Sequence, residues 1–405
     1  MLGVATRLAP FGTTIFSAMT ALALKHGAVN LAQGFPDFDG PELARVALAD
    51  AVAQGHNQYG PMPGAPVLRR AIAADFAARA GVHADPDREI TVTCGCTEAI
   101  AAVMLGLINP GDEVILFEPF YDSYRAAVAM AGGVARFVAL RPPPSDRPGA
   151  FEFDEAELRA AFTPRTKMIL VNTPHNPTGK VFTRDELQLI ATLCVQHNVV
   201  AVADEVYEHL VFEPHLPHLH IASFQGMRDR TITLSSLGKT FSYTGWKIGW
   251  AIAPEALTAG IRAAHQFLTF SPAHPMQHAA AALIPAGKPA IAELVALLRS
   301  NREFLAGVLQ DIGLRVFMPA GTYFIMADHS RLDRKNPKLE GLAAGDDRAF
   351  CRWLTEHVGV AAIPPSVFYD RPELGHHLAR FAFVKKRSTL EESARRLRSG
   401  FGLAS

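Results

Sequence analysis

The chain of 405 residues predicts an α/β fold: a mainly parallel central sheet flanked by helices, plus a smaller α/β domain. Three observations carry this. Short β-branched runs alternate with helical patterns from Glu89 to Leu234, as βαβ units require. The residues with unusual chemistry fall just after those strands, where such sheets place their ligands. The length also exceeds the ~250–300 residues at which one core stops growing.

Taken in order, Thr14 to His26 carries Ile15, Met19, Leu22 and Ala23 at helical spacing and predicts an amphipathic helix. Asn30 to Asp37 is a turn-rich connector. Its Gly34 and Pro36 suit either a plain loop or backbone brought close to a ligand. Gln58 to Gly64 is a loop ahead of a helix from Ala65 to Ala80. Strands are then predicted at Glu89 to Thr93, Glu113 to Phe117, Val134 to Leu140, Lys167 to Val171, Val199 to Ala203 and Thr231 to Leu234. Helices at Thr97 to Leu107, Tyr121 to Met130 and Arg184 to His197 stand among them.

Arg141 to Pro148 is a proline-rich connector, too short for a domain linker, whereas Pro285 to Pro289 makes a boundary. A long helix from Ala290 to Ile312 follows. Then come a strand at Thr322 to Ala327, a helix at Asp347 to His357, a strand at Leu378 to Phe383 and a helix from Leu390. The expected division is a large domain at 40–285 and a small one made of 1–39 with 286–405.

Lys+Arg and Asp+Glu balance at 39 each, which argues against a general nucleic-acid binder or a membrane-surface protein. Met1 to Pro10 lacks a secretory apolar region, and the longest apolar run, Ala99 to Ile108, falls short of the ~20 residues of a spanning helix. No membrane segment is expected. The four cysteines make neither a C-x-x-C pair nor a disulfide framework, so a reducing cytoplasm is the default.

The chemistry centres on Ser235 to Trp250. A single lysine, Lys239, sits there among small and hydroxylic residues after a strand, with Lys247 eight positions on. Phosphate clamp, Schiff-base nucleophile and solvated loop residue all fit. A P-loop does not, because the glycine it needs would stand where Thr233 is. Gly95, between Cys94 and Cys96, joins a strand to a helix whose free N–H groups suit an anion. Tyr121 could stack on a flat ring or pack in the core.

Asn172-Thr-Pro-His-Asn176-Pro-Thr-Gly179 is an irregular loop fixed by two prolines and a glycine, more than a turn needs; His175 reads as a loop residue. Asp204 leaves a buried strand, where a charge is costly unless paired, with Tyr207 three residues on. A protonated pyridine nitrogen or a structural salt bridge would each serve as its partner. Arg380, on an apolar strand, suits bidentate capture of a carboxylate. Cys94 and Cys96 lack further ligands at a useful spacing, and His215, His218 and His220 lie in a loop marked by Pro214 and Pro217. No metal is expected.

Lys239 in Ser-Leu-Gly-Lys-Thr, Lys247 in Gly-Trp-Lys, Asp204-Glu-Val-Tyr207 and Asn172 to Gly179 together resemble class I aminotransferases of pyridoxal phosphate fold type I, over almost the whole chain. Gly12 to Phe16, Asn30 to Gly40, His265 to Ser271 and Gly359 to Phe368 look like the bacterial methionine aminotransferase branch, a neighbour of the kynurenine and glutamine transaminases. The resemblance implies a cytoplasmic homodimer with pyridoxal 5'-phosphate held by Lys239 through a Schiff base. It implies that Asp204 pairs with the ring nitrogen, Tyr207 and Asn176 contact the ring oxygen, and Tyr121 stacks on the ring. Ser236, Lys247 and the amides around Gly95, those of Cys96 and Thr97, would bind phosphate, with Tyr59 from a second subunit. Arg380 would bind the substrate carboxylate, helped by Asn176 and the Gly34 backbone. Phe16, with Phe270 of the second copy, would line the side-chain pocket. Cys96 departs from the Ala or Gly usual there, and is expected to be without consequence because a backbone amide serves.

The activity so implied is transfer of the amino group of methionine, or another large apolar or aromatic L-amino acid, to a 2-oxo acid with ping-pong kinetics. Kynurenine/glutamine transamination shares the site. So does a cysteine-conjugate carbon–sulfur β-lyase, which starts from the same proton removal. A non-catalytic aminotransferase-like sensor fits less well, since Lys239 and Asp204 are intact and little chain precedes the expected fold.

Overall fold

A computed structural model describes residues 3–144, 149–332, 342 and 345–403. Residues 145–148 of the proline-rich connector, and the first two of the N-terminal reading, lie outside the described residues. The chain opens with α1 (Ile15–His26), β1 (Val29–Asn30), α2 (Glu42–Ala53) and α3 (Pro66–Ala80). The alternating region runs β2 (Ile90–Cys94), α4 (Gly95–Leu107), β3 (Glu113–Glu118), α5 (Asp122–Met130), β4 (Val134–Ala139), α6 (Glu155–Ala161), β5 (Thr166–Asn172), α7 (Arg184–His197) and β6 (Val200–Asp204). It continues through β7 (Thr231–Ser236), α8 (Leu237–Thr240) and β8 (Ile248–Ile252). After these come α9 (Glu255–Leu268), α10 (His274–Ala286), α11 (Lys288–Asp311), β9 (Arg315–Phe317), β10 (Phe324–Asp328), α12 (Asp347–Trp353), β11 (Val360–Ala361), β12 (Leu378–Ala382) and α13 (Arg387–Phe401).

Seven strands form the main sheet in the order β2-β8-β7-β6-β5-β3-β4. Only β8 runs antiparallel to its neighbours. The pleat sends alternate residues to opposite faces, so Val114 and Leu116 pack with α4, α5 and α9, while Ile115 and Phe117 pack with α7. Both faces are covered, which is why these strands read as continuous apolar runs. A separate core joins Leu298 and Leu305 of α11, Ile325 of β10 and Phe381 of β12 to Met19 and Ala23 of α1. β12, β10 and β9 make an antiparallel sheet in that core.

The helix expected from Thr97 begins two residues earlier, at Gly95, so Cys96 and Thr97 fall in its first turn. Thr322, expected in a strand, has φ 67° and precedes β10. The helix expected to reach His357 changes at Leu354 into a wider π turn ending at Gly359. Pro285, expected at a boundary, lies in the last turn of α10, and α11 leaves that helix at a bend of 79°. The sequence reading did not place the helices α2, α6, α8, α9 and α10 or the strands β1, β8, β9 and β11. No single helix among the described residues is long and apolar enough to cross a membrane.

Candidate active site

A cavity of about 290 Å³ opens at the carboxyl ends of β2, β5, β6 and β7. Its lining includes Phe16, Gly34, Gly95, Cys96, Thr97, Tyr121, Asn176, Asp204, Tyr207, Ser236, Lys239, Lys247 and Arg380. Two expected residues stand apart. Tyr59, 89% exposed, and Phe270, 44% exposed, lie outside this cavity with their rings edge to face at 5.9 Å.

One end of the cavity is built for an anion. The first N–H groups of α4 have no partner within the helix. Gly95 has φ 73°, and a side chain there would come within 3.0 Å of the Lys247 Nζ. Gly249 is constrained differently: a Cβ would meet the Cys96 nitrogen at 2.6 Å, so only glycine lets β8 lie against this helix end. Lys247 sits just before β8 with φ 55°, and Ser236 closes β7 alongside. The Gly245-Trp-Lys-Ile-Gly249 frame is thereby explained by packing as well as by charge.

Across the cavity, β6 delivers Asp204, which is 3% exposed. Tyr124 Oη donates to its Oδ2 at 2.5 Å, the Val206 N–H to its Oδ1 at 3.3 Å, and the Cys96 thiol to Oδ1 at 3.7 Å. Burial raises the carboxyl above the usual aspartate range, and these donors and Lys239 offset only part of that. Cys96 therefore does have a consequence: burial and Asp204 keep its thiol protonated, as a donor needs to be.

The Asn172 side chain ties two site loops together. Its Nδ2 donates to the Asp204 carbonyl at 2.9 Å, and its Oδ1 accepts the Asn176 N–H at 2.7 Å. His175 is buried, held to Thr178 Oγ1 at 2.8 Å, and lowered to about 3 by burial, which fits a structural loop residue.

Lys239 is half-buried, and desolvation disfavours its charge, yet Tyr323, Tyr121 and Asp204 outweigh this and hold the amine above the ordinary lysine value. Arg380 is 1% exposed. Its Nη1 donates to Asn176 Oδ1 at 3.0 Å and its Nη2 to the Ala32 carbonyl at 2.8 Å, while Nε is buried without a hydrogen-bond partner. The guanidinium lies 4.1 Å from the Phe324 ring centre and 5.2 Å from that of Phe16. Burial lowers it to about 10. A buried cation with a spare donor between aromatic rings is matched to a planar carboxylate.

Tyr124, Asn172 and Tyr323 were missed as site residues. Tyr124 stands three positions after Tyr121 on α5, a spacing that shares a helix face. Tyr323 had no local signal; its hydroxyl donates to the Gly34 carbonyl at 2.6 Å and its ring meets Tyr207 edge to face at 5.1 Å.

Residues 26–397 match the family model for aminotransferase class I and II. A probable N-succinyldiaminopimelate aminotransferase, DapC, of Mycobacterium tuberculosis is 49% identical over 400 residues, covering 97% of each chain. Kynurenine–oxoglutarate transaminase 1 of Homo sapiens is 40% identical over 394 residues, covering 93% of each. The crystal structure of YbdL from Escherichia coli, for which a methionine aminotransferase function is identified, superposes with a TM-score of 0.90 at 41% identity, covering 98% of this chain and 100% of that one. The lysine, aspartate and arginine that meet in this cavity thus sit in a fold type I architecture, and the chain belongs to the class I and II aminotransferases.

Proposed function

We propose that this aminotransferase takes methionine and other large apolar or aromatic L-amino acids as donors, uses a 2-oxo acid as acceptor, and works with pyridoxal phosphate. The family generally depends on that cofactor, and the residues present fit it. The helix end at Gly95 with Lys247 and Ser236 suits its phosphate, and Asp204, raised by burial, lacks a full positive partner. When bound, pyridoxal phosphate supplies an electron sink for the pair left on the substrate Cα.

This chain's residues do the rest. Arg380 and Asn176 grip the substrate carboxylate and fix the Cα hydrogen toward Lys239. The Lys239 amine takes that proton from Cα and would return it on the far side of the substrate nitrogen, two atoms away. Asp204, oriented by Tyr124, keeps a positive N–H in place. Phe16 and Phe324 exclude water from the exchange.

The observation that carries the donor class is the lining of the cavity. Among its described residues the cations are Lys239, Lys247 and Arg380, each with a task already, and the remaining wall includes Phe16, Phe35 and Phe324. N-succinyldiaminopimelate, the donor named for the 49% identical relative, is the second reading. Its distal carboxylates call for a further cation, and the lining that one chain supplies holds none beyond those three. We propose also that a homodimer brings Tyr59 and Phe270 to the second copy's cavity, which would account for two adjacent exposed aromatics.

The test is a half-reaction on cofactor-loaded protein without oxo acid. L-Methionine is expected to bleach the bound-cofactor absorbance and yield one 4-methylthio-2-oxobutyrate per site, and Lys239→Ala to yield none. Faster conversion of N-succinyldiaminopimelate than of methionine would overturn the donor class.

A further inference from the structure

We propose that His56, His274 and His278 form a binding site for a borderline divalent transition ion such as Zn²⁺. The site lies outside the active-site cavity, and the inference does not depend on the donor reading. His274 and His278 are four residues apart at the start of α10, so their rings share one helix face. Their Nε2 atoms approach to 3.2 Å. Two nitrogens bound to one tetrahedral zinc at ~2.0–2.1 Å lie at about that separation.

The third imidazole comes from just past α2. The His56 backbone N–H is held to the Ala51 carbonyl at 3.1 Å; its ring stacks on that of His278 at 3.6 Å and 13°, which sets their lone pairs side by side, so the His56 ring turns out of the stack to reach the ion. It meets the His274 ring at 5.4 Å and 69°. One nitrogen of each ring lies within 4.8 Å of the other two, and all three residues are half-buried, so an ion can enter from solvent.

The tautomer is also set. His274 Nδ1 faces the Gln58 carbonyl at 3.2 Å and must carry the proton it donates, which leaves Nε2 bare toward the centre. Zinc-binding histidines are oriented by such a bond to a backbone oxygen. The contact between the two Nε2 atoms is then bridged by one proton, on His278, which moves to the ring's own Nδ1 and leaves Nε2 bare for the ion. Three neutral imidazoles with a fourth position open to water are a donor set for zinc, nickel or copper rather than for magnesium or calcium. An ion here links α2 to α10 and fixes the intervening chain that carries Tyr59.

The experiment uses cofactor-loaded protein freed of metal by a chelator and titrated with Zn²⁺ in a calorimeter, with Co²⁺ as an optical stand-in. One ion per chain and a rise in the thermal midpoint are expected. His56→Gln and His278→Gln should both lose the binding and the rise while keeping the metal-free midpoint of the parent. Absence of saturable binding overturns the proposal. So does binding undiminished in both variants, which would put the ion elsewhere, at Glu205, His218 and His220 for example.

Discussion

Asp204 and Glu205 are consecutive, both carboxylates and both buried, yet they face opposite sides of the same chain. Asp204 lines the cavity. Glu205 points behind it, with His220 Nδ1 at 2.5 Å and His218 Nε2 at 3.4 Å from its Oε2. Three residues on the pattern repeats, since Tyr207 lines the cavity while Glu208 takes Arg79 at 2.6 Å and Ser235 Oγ at 2.6 Å behind it. Burial pushes both acids up. At Asp204 it prevails, because most of its donors are neutral. At Glu205 the histidines overcome it and hold the carboxyl down to about 2. Equal burial thus yields opposite acidities, and the partners decide the sign. The carboxylate that faces histidines is structural, and the one whose hydrogen-bond donors are neutral is left for a ligand's positive charge.

Exchanging each acid for its amide separates the two roles. Glu205→Gln removes the buried carboxylate that His220 and His218 face and should cost about 3–5 kcal/mol in chemical denaturation, with kcat of the folded enzyme little changed. Asp204→Asn should lower kcat by about 10²–10³, the scale of one lost preorganised electrostatic partner, while the cofactor-free thermal midpoint holds or rises. A large loss of stability in Asp204→Asn, or of kcat in Glu205→Gln, would erase the distinction.

The acid limb of the stability curve sharpens it. The folded pKa of Glu205 lies below its unfolded value of 4.5, so its contribution is present above 4.5 and disappears as pH falls toward about 2. Thermal midpoints of Glu205→Gln should therefore flatten between those values relative to the parent. The smallest effect belongs to Tyr124→Phe. Removing one hydrogen bond to a charged group is worth roughly 1.5 kcal/mol, so kcat should fall about tenfold and the pH profile shift as Asp204 rises further.

Legibility in sequence followed the distance between partners. Asn172 to Gly179, Asp204 to Tyr207 and Ser235 to Lys247 are local stretches, so their unusual composition was visible. Arg380 was visible because a charge in an apolar strand contradicts its surroundings. Tyr124 reaches Asp204 across 80 residues, marked locally only by its spacing from Tyr121, and Tyr323 reaches Gly34 across 289 with nothing near it to mark it. β8 was hidden inside a stretch read only for its chemistry, and α10 by prolines at both ends that suit a helix terminus as well as a loop. The rings of His218 and His220 both approach Glu205 Oε2, at 3.4 and 2.5 Å, a convergence that nothing in their spacing foretold.

The hydrogen bond from Arg380 to the Ala32 carbonyl spans 348 residues. At roughly 5–20 residues per second, a ribosome makes those two ends about 20–70 s apart. The seven-stranded sheet is complete in sequence at Ile252, well before Arg380 exists. Until then the Ala32 carbonyl has only water to bond, and the grip on substrate is absent. Synthesis therefore assembles the anion cradle first and the substrate clamp last, so a chain halted before β12 should carry the lysine and aspartate of the site and still turn nothing over.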